Sequence, residues 1–432
     1  MWRSIRRDRD RVAPITFLFP RHIQPLTHEL VDAFRVVVVN GPRQAGKSTL
    51  LRLVAENSAA TMVSLDDRDQ LRAARTDPGG FVEGYGRPLF IDEVQRGGDP
   101  LVLAIKAEVD RHSTTPGQFV LAGSSRFLTV PTLSESLAGR AAIVDLWPLS
   151  QGELEGVREA FVDRLFGDTA GVRAIESAPL RRPELLERVV RGGFPEVHRL
   201  GSASLRAVWF ENYRRQLIER DLTQLRRIRQ GMDLPRLLRA LAARTAQELN
   251  FASISRDLGF SKDAARDYLA LLETIYVHRL LPAWSTNLNA RVKRHSKVHL
   301  VDSGLAADLL GQSVEALSLP TSAVAGPLLE TFVVGELTRQ RTWADVRAEL
   351  FHFRDHDRRE IDVILEAADG RIAAVEVKAA RDVDEGDFRW LRYLRDRSGD
   401  SFTNGVLLHI GERPLSFGDR LTALPISALW AP

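Results

Sequence analysis

The sequence predicts an α/β protein: a parallel sheet with helices on both faces, then a helical region, then a mixed α/β C-terminal part. Between residues 27 and 150, strand-like apolar segments alternate with helix-like segments, which is typical of a parallel sheet. From Glu153 onward, apolar residues recur at helical spacing, and strand-like segments return in the C-terminal third. The strands predicted in the first part are residues 35–39, 61–65, 88–92, 118–122 and 142–146.

The chain is long enough for several domains. A length of 432 residues indicates about two to four of them. We predict a basic arm at 1–26, a sheet domain at 27–150, a helical lid at 151–235, a winged-helix-like segment at 236–312 and a mixed α/β domain at 313–432.

The composition excludes several classes of protein. There is no cysteine, so neither disulfides nor thiolate metal sites are expected. No apolar stretch reaches the roughly 18 residues of a membrane helix, and the arginine-rich N-terminus lacks the apolar core of a secretory signal. We therefore expect a cytoplasmic protein with no membrane partner. The net charge of +3, from 60 basic and 57 acidic residues, does not by itself indicate nucleic acid.

A glycine-rich loop follows the first predicted strand, which contains Val36–Val39, and precedes an apolar helix-like segment at 50–54. The loop has the G-x-x-x-x-G-K-[ST] phosphate-binding pattern, formed by Gly41, Pro42, Arg43, Gln44, Ala45, Gly46, Lys47 and Ser48. Backbone N–H groups at the helix N-terminus suit a phosphate. Lys47 is expected to reach the outer phosphates, and Ser48, next to Thr49, to bind Mg²⁺. The loop therefore predicts binding of ATP and Mg²⁺.

Two further strands end in polar residues that complete such a site. Residues 88–92 form an apolar strand that ends in Asp92, followed by Glu93. We expect Asp92 to hold the magnesium shell and Glu93 to orient and deprotonate the attacking water. The strand at 118–122 is followed by Ser124 and Ser125, either of which suits a position between the acids and the γ-phosphate. A helix N-cap is the alternative role for these serines.

Residues 251–283 have a helix–turn–helix pattern, with Gly259 at the turn, and the segment resembles a winged helix. The second helix carries Lys262 and Arg266, together with several acids. The densest basic run of the chain, residues 291–297, follows nearby. The pattern leaves two alternatives open: contact with DNA, or packing between domains.

A second group of chemically distinctive residues lies in the C-terminal third. Residues 360–365 and 372–378 read as two strands of a hairpin centred on Asp369, which places Asp362 opposite Glu376. Lys378 shares their face, and Glu330 lies in a predicted helix at 327–339. Such carboxylates suit a divalent metal, so Mg²⁺ or Mn²⁺ is expected to bind and stabilise the fold. The alternative is an exposed charged face of an edge hairpin.

The chain resembles a family of prokaryotic ATPases that join an AAA-type P-loop domain to a C-terminal domain of unknown function. The resemblance covers nearly the whole chain after the N-terminal arm. It rests on the loop at 41–48 and on further motifs: Ile-Asp-Glu-Val-Gln (91–95), Ala-Gly-Ser-Ser-Arg (122–126), Glu-Ser-Leu-Ala-Gly-Arg (135–140), Pro-Leu-Ser (148–150), Gly-Gly-Phe-Pro-Glu (192–196) and Val-Asp-Ser-Gly-Leu (301–305).

The resemblance implies an AAA-type ATPase at 27–150 and a restriction-endonuclease-like fold in the C-terminal domain. Glu330, Asp362, Glu376 and Lys378 match the endonuclease motif of an acid followed by Glu-x-Lys. Ile361 stands where active nucleases often have proline, which leaves cleavage open. The resemblance also implies that Arg140 is either an arginine finger acting on a neighbouring subunit or a structural arginine of the lid.

Two hypotheses about function follow. The first is a DNA-associated ATPase with a nuclease-like domain, acting in repair, restriction or defence against mobile elements. The second is a regulatory NTPase switch that acts on a protein partner or within a homo-oligomer, with an inert nuclease fold. DNA-stimulated ATP turnover would favour the first hypothesis.

Overall fold

The computed structural model describes residues 18–56, 59–123, 137–222, 234–287, 291 and 294–432. Its first unit is a five-stranded, all-parallel sheet in the order β2-β3-β4-β1-β5. The strands are β1 Val36–Asn40, β2 Thr61–Ser64, β3 Leu89–Asp92, β4 Phe119–Gly123 and β5 Ala141–Asp145, which confirms the predicted strands to within a residue or two. The helices around it are α1 Gln24–Ala33, α2 Lys47–Ala55, α3 Arg68–Thr76, α4 Pro78–Glu83 and α5 Gly98–Arg111.

Both faces of this sheet are buried. Val36 and Val38 of β1 belong to one apolar core, and Val37 and Val39 belong to another on the opposite face. Alternate residues of a strand point to opposite faces, so a continuous run of valines suits a strand that is covered on both sides. β4 lies between β1 and β3, so the ends of all three strands meet at one edge of the sheet.

A helical region follows the sheet. It contains α6 Gln151–Glu155, α7 Phe161–Leu165, α8 Thr169–Arg173, α9 Arg182–Arg191 and α10 Ala203–Gln216, which continues as a π-helix over Leu217–Leu222. Short 3₁₀ helices occur at Val94–Gly97, Pro195–Arg199, Glu385–Phe388, Gly399–Ser401 and Ile426–Trp430.

Residues 234–300 form a small helical unit with an antiparallel sheet in the order β6-β8-β7. Its elements are α11 Leu234–Ala242, β6 Gln247–Glu248, α12 Phe251–Leu258, α13 Lys262–Thr274, β7 His278–Leu281 and β8 Lys297–Leu300. The predicted turn is confirmed: Gly259 adopts a φ of +74°, and the Ser261 side chain caps α13 by accepting from the Ala264 N–H.

The C-terminal part is a six-stranded mixed sheet in the order β13-β14-β12-β11-β10-β9. Its elements, with the helices that precede it, are α14 Ser303–Leu309, α15 Val314–Ser318, α16 Ala325–Gln340, β9 Ala348–Arg354, β10 Glu360–Ala367, β11 Ile372–Lys378, α17 Arg389–Ser398, β12 Phe402–His409, β13 Leu415–Ser416 and β14 Leu421–Pro425. One face packs against α17, and the other shares a continuous apolar core with the helical region and with residues 234–300.

The β10–β11 hairpin has the predicted register. Val363 pairs with Val375 and Ile364 pairs with Ala374, which centres the hairpin on Asp369. Within the described residues, no helix is long and apolar enough to cross a membrane.

Candidate functional site

The glycine-rich loop connects the end of β1 to the start of α2, as the sequence predicts. Gly41 has a φ of +152°, and a Cβ there would lie 2.1 Å from the Leu146 carbonyl oxygen, so only glycine fits. Gly46 has a φ of +97° and precedes α2 without a side-chain cap. A helix N-terminus without a side-chain cap presents N–H groups that suit an anion.

Lys47, Ser48 and Asp92 lie together beside this loop. The Lys47 ammonium donates to the Gly41 and Pro42 carbonyls at 2.9 and 2.8 Å, and the residue is only 5% exposed. The Ser48 hydroxyl donates to Asp92 Oδ2 at 2.5 Å, although the two residues lie on different elements. A hydroxyl beside a carboxylate is a suitable oxygen pair for Mg²⁺, so these residues fit the predicted cofactor.

Glu93 has an unusual backbone. It follows β3 with a φ of +53°, in the left-handed region that residues other than glycine rarely adopt. Its N–H donates to Asp92 Oδ1 at 3.0 Å, and its carboxylate accepts from the Gln95 side-chain amide. Strained backbone is often retained at functional sites, so this conformation supports the chemical role predicted for Glu93.

One contact links the loop to the helical region. The side-chain amide of Gln44, within the loop, donates to the Gln216 side chain at the end of α10 at 3.5 Å. Ser124 and Ser125 follow Gly123, the last residue of β4, in the sequence, and both lie outside the described residues.

Arg140 does not contribute to the nucleotide site of its own chain. It precedes β5, at the edge of the parallel sheet opposite the glycine-rich loop, and not in the helical lid. Its Nε and Nη2 donate to the two carboxylate oxygens of Asp110 at 2.6 and 3.2 Å. This bidentate pair favours a structural role at the end of α5, and action on a neighbouring subunit stays a prediction.

Arg21 donates a hydrogen bond to the backbone of the loop, a role that the sequence analysis missed. The residue is 7% exposed, and its guanidinium donates to the Ala45 carbonyl at 2.6 Å, to the Trp147 carbonyl at 2.7 Å and to Glu153 at 3.0 Å. The residue lies in the segment predicted as a basic arm. One arginine in an arginine-rich segment carries no signal that distinguishes it from its neighbours.

A buried junction joins this region to α16. Glu336 accepts from the Gln151 N–H, at the start of α6, at 2.9 Å and from Arg339 at 3.0 Å. Arg339 also donates to the Pro148 carbonyl at 2.8 Å and lies 4.0 Å from Asp302. Burial raises the pKa of Glu336 to about 7, even though Arg339 opposes the shift. We call Gln151, Asp302, Glu336 and Arg339 the buried junction.

Three of the sequence motifs, at 148–150, 192–196 and 301–305, contact one another at this junction. The Gly193 N–H donates to Asp302 Oδ2 at 2.7 Å, and the Leu149 N–H donates to the Gly193 carbonyl at 2.7 Å. A Cβ on Gly192 would lie 2.1 Å from Asp302 Oδ1. The motifs at 148–150, 192–196 and 301–305 therefore meet in space, and their contacts are structural.

The C-terminal acids also come together. Glu330 of α16 and Asp362 of β10 contact one ammonium, and the Glu376 carboxylate accepts from the Asp362 N–H at 3.4 Å. That ammonium belongs to Lys297 of β8, which lies 2.8 Å from Glu330, 2.8 Å from Glu360 and 3.2 Å from Asp362. We call these five residues the acid–lysine cluster.

The electrostatics of the cluster follow from burial and proximity. Burial lowers the pKa of Lys297, but the carboxylates of Asp362, Glu330 and Glu360 outweigh it and raise that pKa above its usual value. Burial, followed by the neighbouring Asp362, raises the pKa of Glu330 and of Glu376 well above their usual values. Lys297 is therefore an ammonium that balances part of a concentrated negative charge.

One prediction about this cluster needs correction. Lys378 pairs with Asp387, while Lys297 is the lysine among the acids. Within the described residues, no group of three or more acids and histidines is arranged to hold a metal ion as it stands, and metal binding by Glu330, Asp362 and Glu376 stays a prediction. An ammonium lies at the centre of the carboxylates, and sequence pattern alone does not show that β8 approaches β10.

Three cations of the basic run at 291–297 contact groups of the protein itself. Arg291 pairs with Glu366 at 2.8 Å, Arg294 donates to the Arg354 carbonyl at 3.0 Å, and Lys297 lies in the cluster. These three cations stabilise the interior of the protein, and packing between domains is the alternative that their contacts favour.

Family models match three parts of the chain: an AAA domain at residues 33–155 and two domains of unknown function, DUF8612 at 182–316 and DUF4143 at 325–429. Uncharacterized protein Rv2008c of Mycobacterium tuberculosis and uncharacterized protein Mb2031c of Mycobacterium bovis are each 31% identical over 349 residues, which is 79% of this chain and 70% of the relative.

Solved structures show weaker likeness. The Walker-type ATPase PABY2304 of Pyrococcus abyssi is 16% identical, with a TM-score of 0.42 over 68% of this chain and 96% of that chain. The Thermotoga maritima RuvB Holliday junction branch migration motor is 16% identical, with a TM-score of 0.30 over 64% and 95%. Neither likeness supports an argument about function. The sequence relatives and the AAA match show that the chain belongs to the same family as Rv2008c and Mb2031c, with an AAA-type P-loop domain in its N-terminal part.

Proposed function

We propose that this protein binds Mg-ATP at the glycine-rich loop and hydrolyses it, and that it acts as a nucleotide-dependent switch. The observation that carries the ATP-binding proposal is the convergence of Lys47, the Ser48–Asp92 pair and the strained Glu93 at one edge of the parallel sheet. Phosphoryl transfer needs mainly positioning and charge neutralisation, which these groups supply.

Each residue has a distinct proposed role. The loop N–H groups and Lys47 bind phosphate, and the bound Mg²⁺, held by Ser48 and Asp92, would neutralise developing negative charge. Glu93 accepts a proton from the attacking water. Gln95 donates to the Glu93 carboxylate and so fixes its direction.

The switch is supported by the buried junction. Arg21 contacts both the Ala45 carbonyl in the loop and Glu153 in α6, and the start of α6 donates to Glu336 of α16. The glycine-rich loop is therefore connected, through buried polar contacts, to the helix that also carries Glu330. A change at the glycine-rich loop can affect the acid–lysine cluster only through a structural element that is linked to both, and α16 is such an element.

A DNA-associated ATPase is the second candidate. The order α11-β6-α12-α13-β7-β8, with its three-stranded sheet, supports a winged-helix-like unit, a fold often used on DNA. The outward face of α13 carries Asp263 and Asp267 beside Lys262 and Arg266, so it has no excess of positive charge. The convergence of Glu330, Asp362 and Glu376 supports an endonuclease-like arrangement. The ammonium of Lys297, however, already lies among these acids.

Two assays on the full chain separate these candidates. ATP turnover is measured with and without duplex DNA, beside a DNA cleavage assay with Mg²⁺ and Mn²⁺. The switch predicts ATP turnover that DNA does not change and no cleavage. Turnover stimulated several-fold by DNA would instead establish the second candidate.

Glu93→Gln is expected to slow hydrolysis by about 100-fold or more, because loss of a general base typically costs that factor. Glutamine can still accept from Gln95, so the local structure is retained. Binding of Mg-ATP should stay within about threefold of wild type, since Glu93 faces water and not phosphate. Phosphate release and fluorescent-nucleotide binding measure the two effects.

Glu83→Gln on α4, at an exposed ion pair, is the matched control. Equal loss of binding and turnover would place Glu93 in the fold or the metal shell.

A further inference from the structure

The acid–lysine cluster has a concentration of carboxylates that normally calls for a metal ion. Three acids, Glu330, Glu360 and Asp362, contact one ammonium, and a fourth, Glu376, lies against the Asp362 N–H. Burial of unpaired carboxylates is strongly unfavourable. We propose that Lys297 is the resident cation of this cluster, so that its ammonium permanently takes the place that a divalent metal ion would have among these acids.

The hydrogen bonds of Lys297 support this assignment. An ammonium has three N–H donors. Three carboxyl oxygens, from Glu330, Glu360 and Asp362, lie within 3.2 Å of Nζ, so each N–H donor has an acceptor. The side chain is 1% exposed, and its strand holds it in place through the Lys297–Leu281 pairing of β8 with β7.

The acids leave little room for a second cation. Asp362 Oδ1 accepts from Lys297, and Oδ2 accepts from the Val377 N–H at 3.0 Å. Glu376 Oε2 faces the Asp362 N–H. Both oxygens of the central aspartate therefore already accept from groups of the protein, and the ammonium occupies the position beside Oδ1.

His299 gives a second, independent indication that this is a cation site. The residue is fully buried, its Nδ1 lies 3.2 Å from the Thr331 hydroxyl, and its Nε2 lies 3.8 Å from Glu330 Oε1 without a hydrogen-bond partner. Imidazole nitrogen and carboxylate oxygen are both ligands for divalent metal ions.

Removing the Lys297 ammonium should create a metal site among the acids that it contacts. In the nucleotide-free full chain, Mn²⁺ binding is followed by electron paramagnetic resonance and by thermal unfolding. Lys297→Ala is expected to bind one Mn²⁺ at least about tenfold more tightly than wild type, because several oxygen ligands then lack a cation. Mn²⁺ should also raise its unfolding midpoint, and Glu330→Gln in the same chain should remove both effects.

Two lysine variants serve as controls. Lys378→Ala removes the lysine of the Glu-x-Lys motif, which pairs with Asp387, and should bind Mn²⁺ no better than wild type. Lys262→Ala, exposed on α13, should behave likewise. If Lys378→Ala opens the metal site and Lys297→Ala does not, the assignment of the resident cation is wrong.

The wild-type measurement decides the question even if Lys297→Ala and the volume-matched Lys297→Met both fail to fold. Tight Mn²⁺ binding by wild-type protein that disappears in Asp362→Asn overturns the proposal, and absence of that binding supports it. The readout needs no nucleotide, so its outcome is distinct from success or failure of the ATPase proposal.

Discussion

Lys47→Ala is expected to abolish ATP turnover and to weaken Mg-ATP binding by about 10–100-fold, the effect of losing a charged hydrogen bond to a buried anion. The ammonium is held inside the loop by the Gly41 and Pro42 carbonyls, where it lies close to any phosphate that the loop N–H groups bind. Alanine supplies neither charge nor donor. Calorimetric titration and phosphate release measure binding and turnover.

Lys106→Ala is the matched control, since this lysine lies on α5 of the same domain and outside the loop. It should retain wild-type binding and turnover. Thermal unfolding of both variants shows whether the fold is intact. Turnover at the wild-type rate in Lys47→Ala would remove the loop from the mechanism.

Arg339→Ala should have the largest effect on stability. Arg339 is 5% exposed, and loss of its guanidinium removes the cation that contacts the buried Glu336 carboxyl and lies 4.0 Å from Asp302. Breaking a buried pair in this way costs about 3–5 kcal/mol. Chemical denaturation of the full chain measures the loss.

The pH dependence separates electrostatics from packing in this variant. The pKa of Glu336 in the folded chain is already raised to about 7. Without Arg339 this pKa rises further, so the folded state retains a proton that the unfolded chain releases. A carboxyl group whose pKa is raised in the folded state makes the folded state less stable as pH increases. The destabilisation caused by Arg339→Ala should therefore be larger at pH 8 than at pH 5.5. Equal destabilisation at both values would indicate lost packing.

Arg341→Ala is the matched control for this experiment. Arg341 directly follows α16 and pairs with Glu349, whose side chain is 70% exposed. Solvent screens such a pair, so its removal should change stability far less than removal of Arg339. A similar loss in both variants would show that the buried junction has no special importance.

The first domain could be predicted almost completely from sequence. The valine run of β1, the glycines of the loop and the acids after β3 are local signals, and each lies where its pattern places it. The β10–β11 register was likewise predictable, because a short turn at Asp369 fixes which residues are opposite.

Contacts between residues that lie far apart in the chain could not be predicted from the sequence. Nothing local shows that Arg21 reaches the Ala45 carbonyl or that Lys297 enters the C-terminal acids. The Glu-x-Lys motif directed attention to Lys378 and away from Lys297. The basic run at 291–297 suggested a surface for DNA because its partners lie far away in the chain.

Hydrogen–deuterium exchange of the Glu93→Gln variant, with and without Mg-ATP, tests the central claim most directly. The variant should bind nucleotide without consuming it. The account predicts slower amide exchange in residues 41–55, where phosphate binds, and also in α16, which the buried junction connects to the loop. Protection confined to residues 41–55 would contradict the switch, and no protection there would contradict nucleotide binding itself.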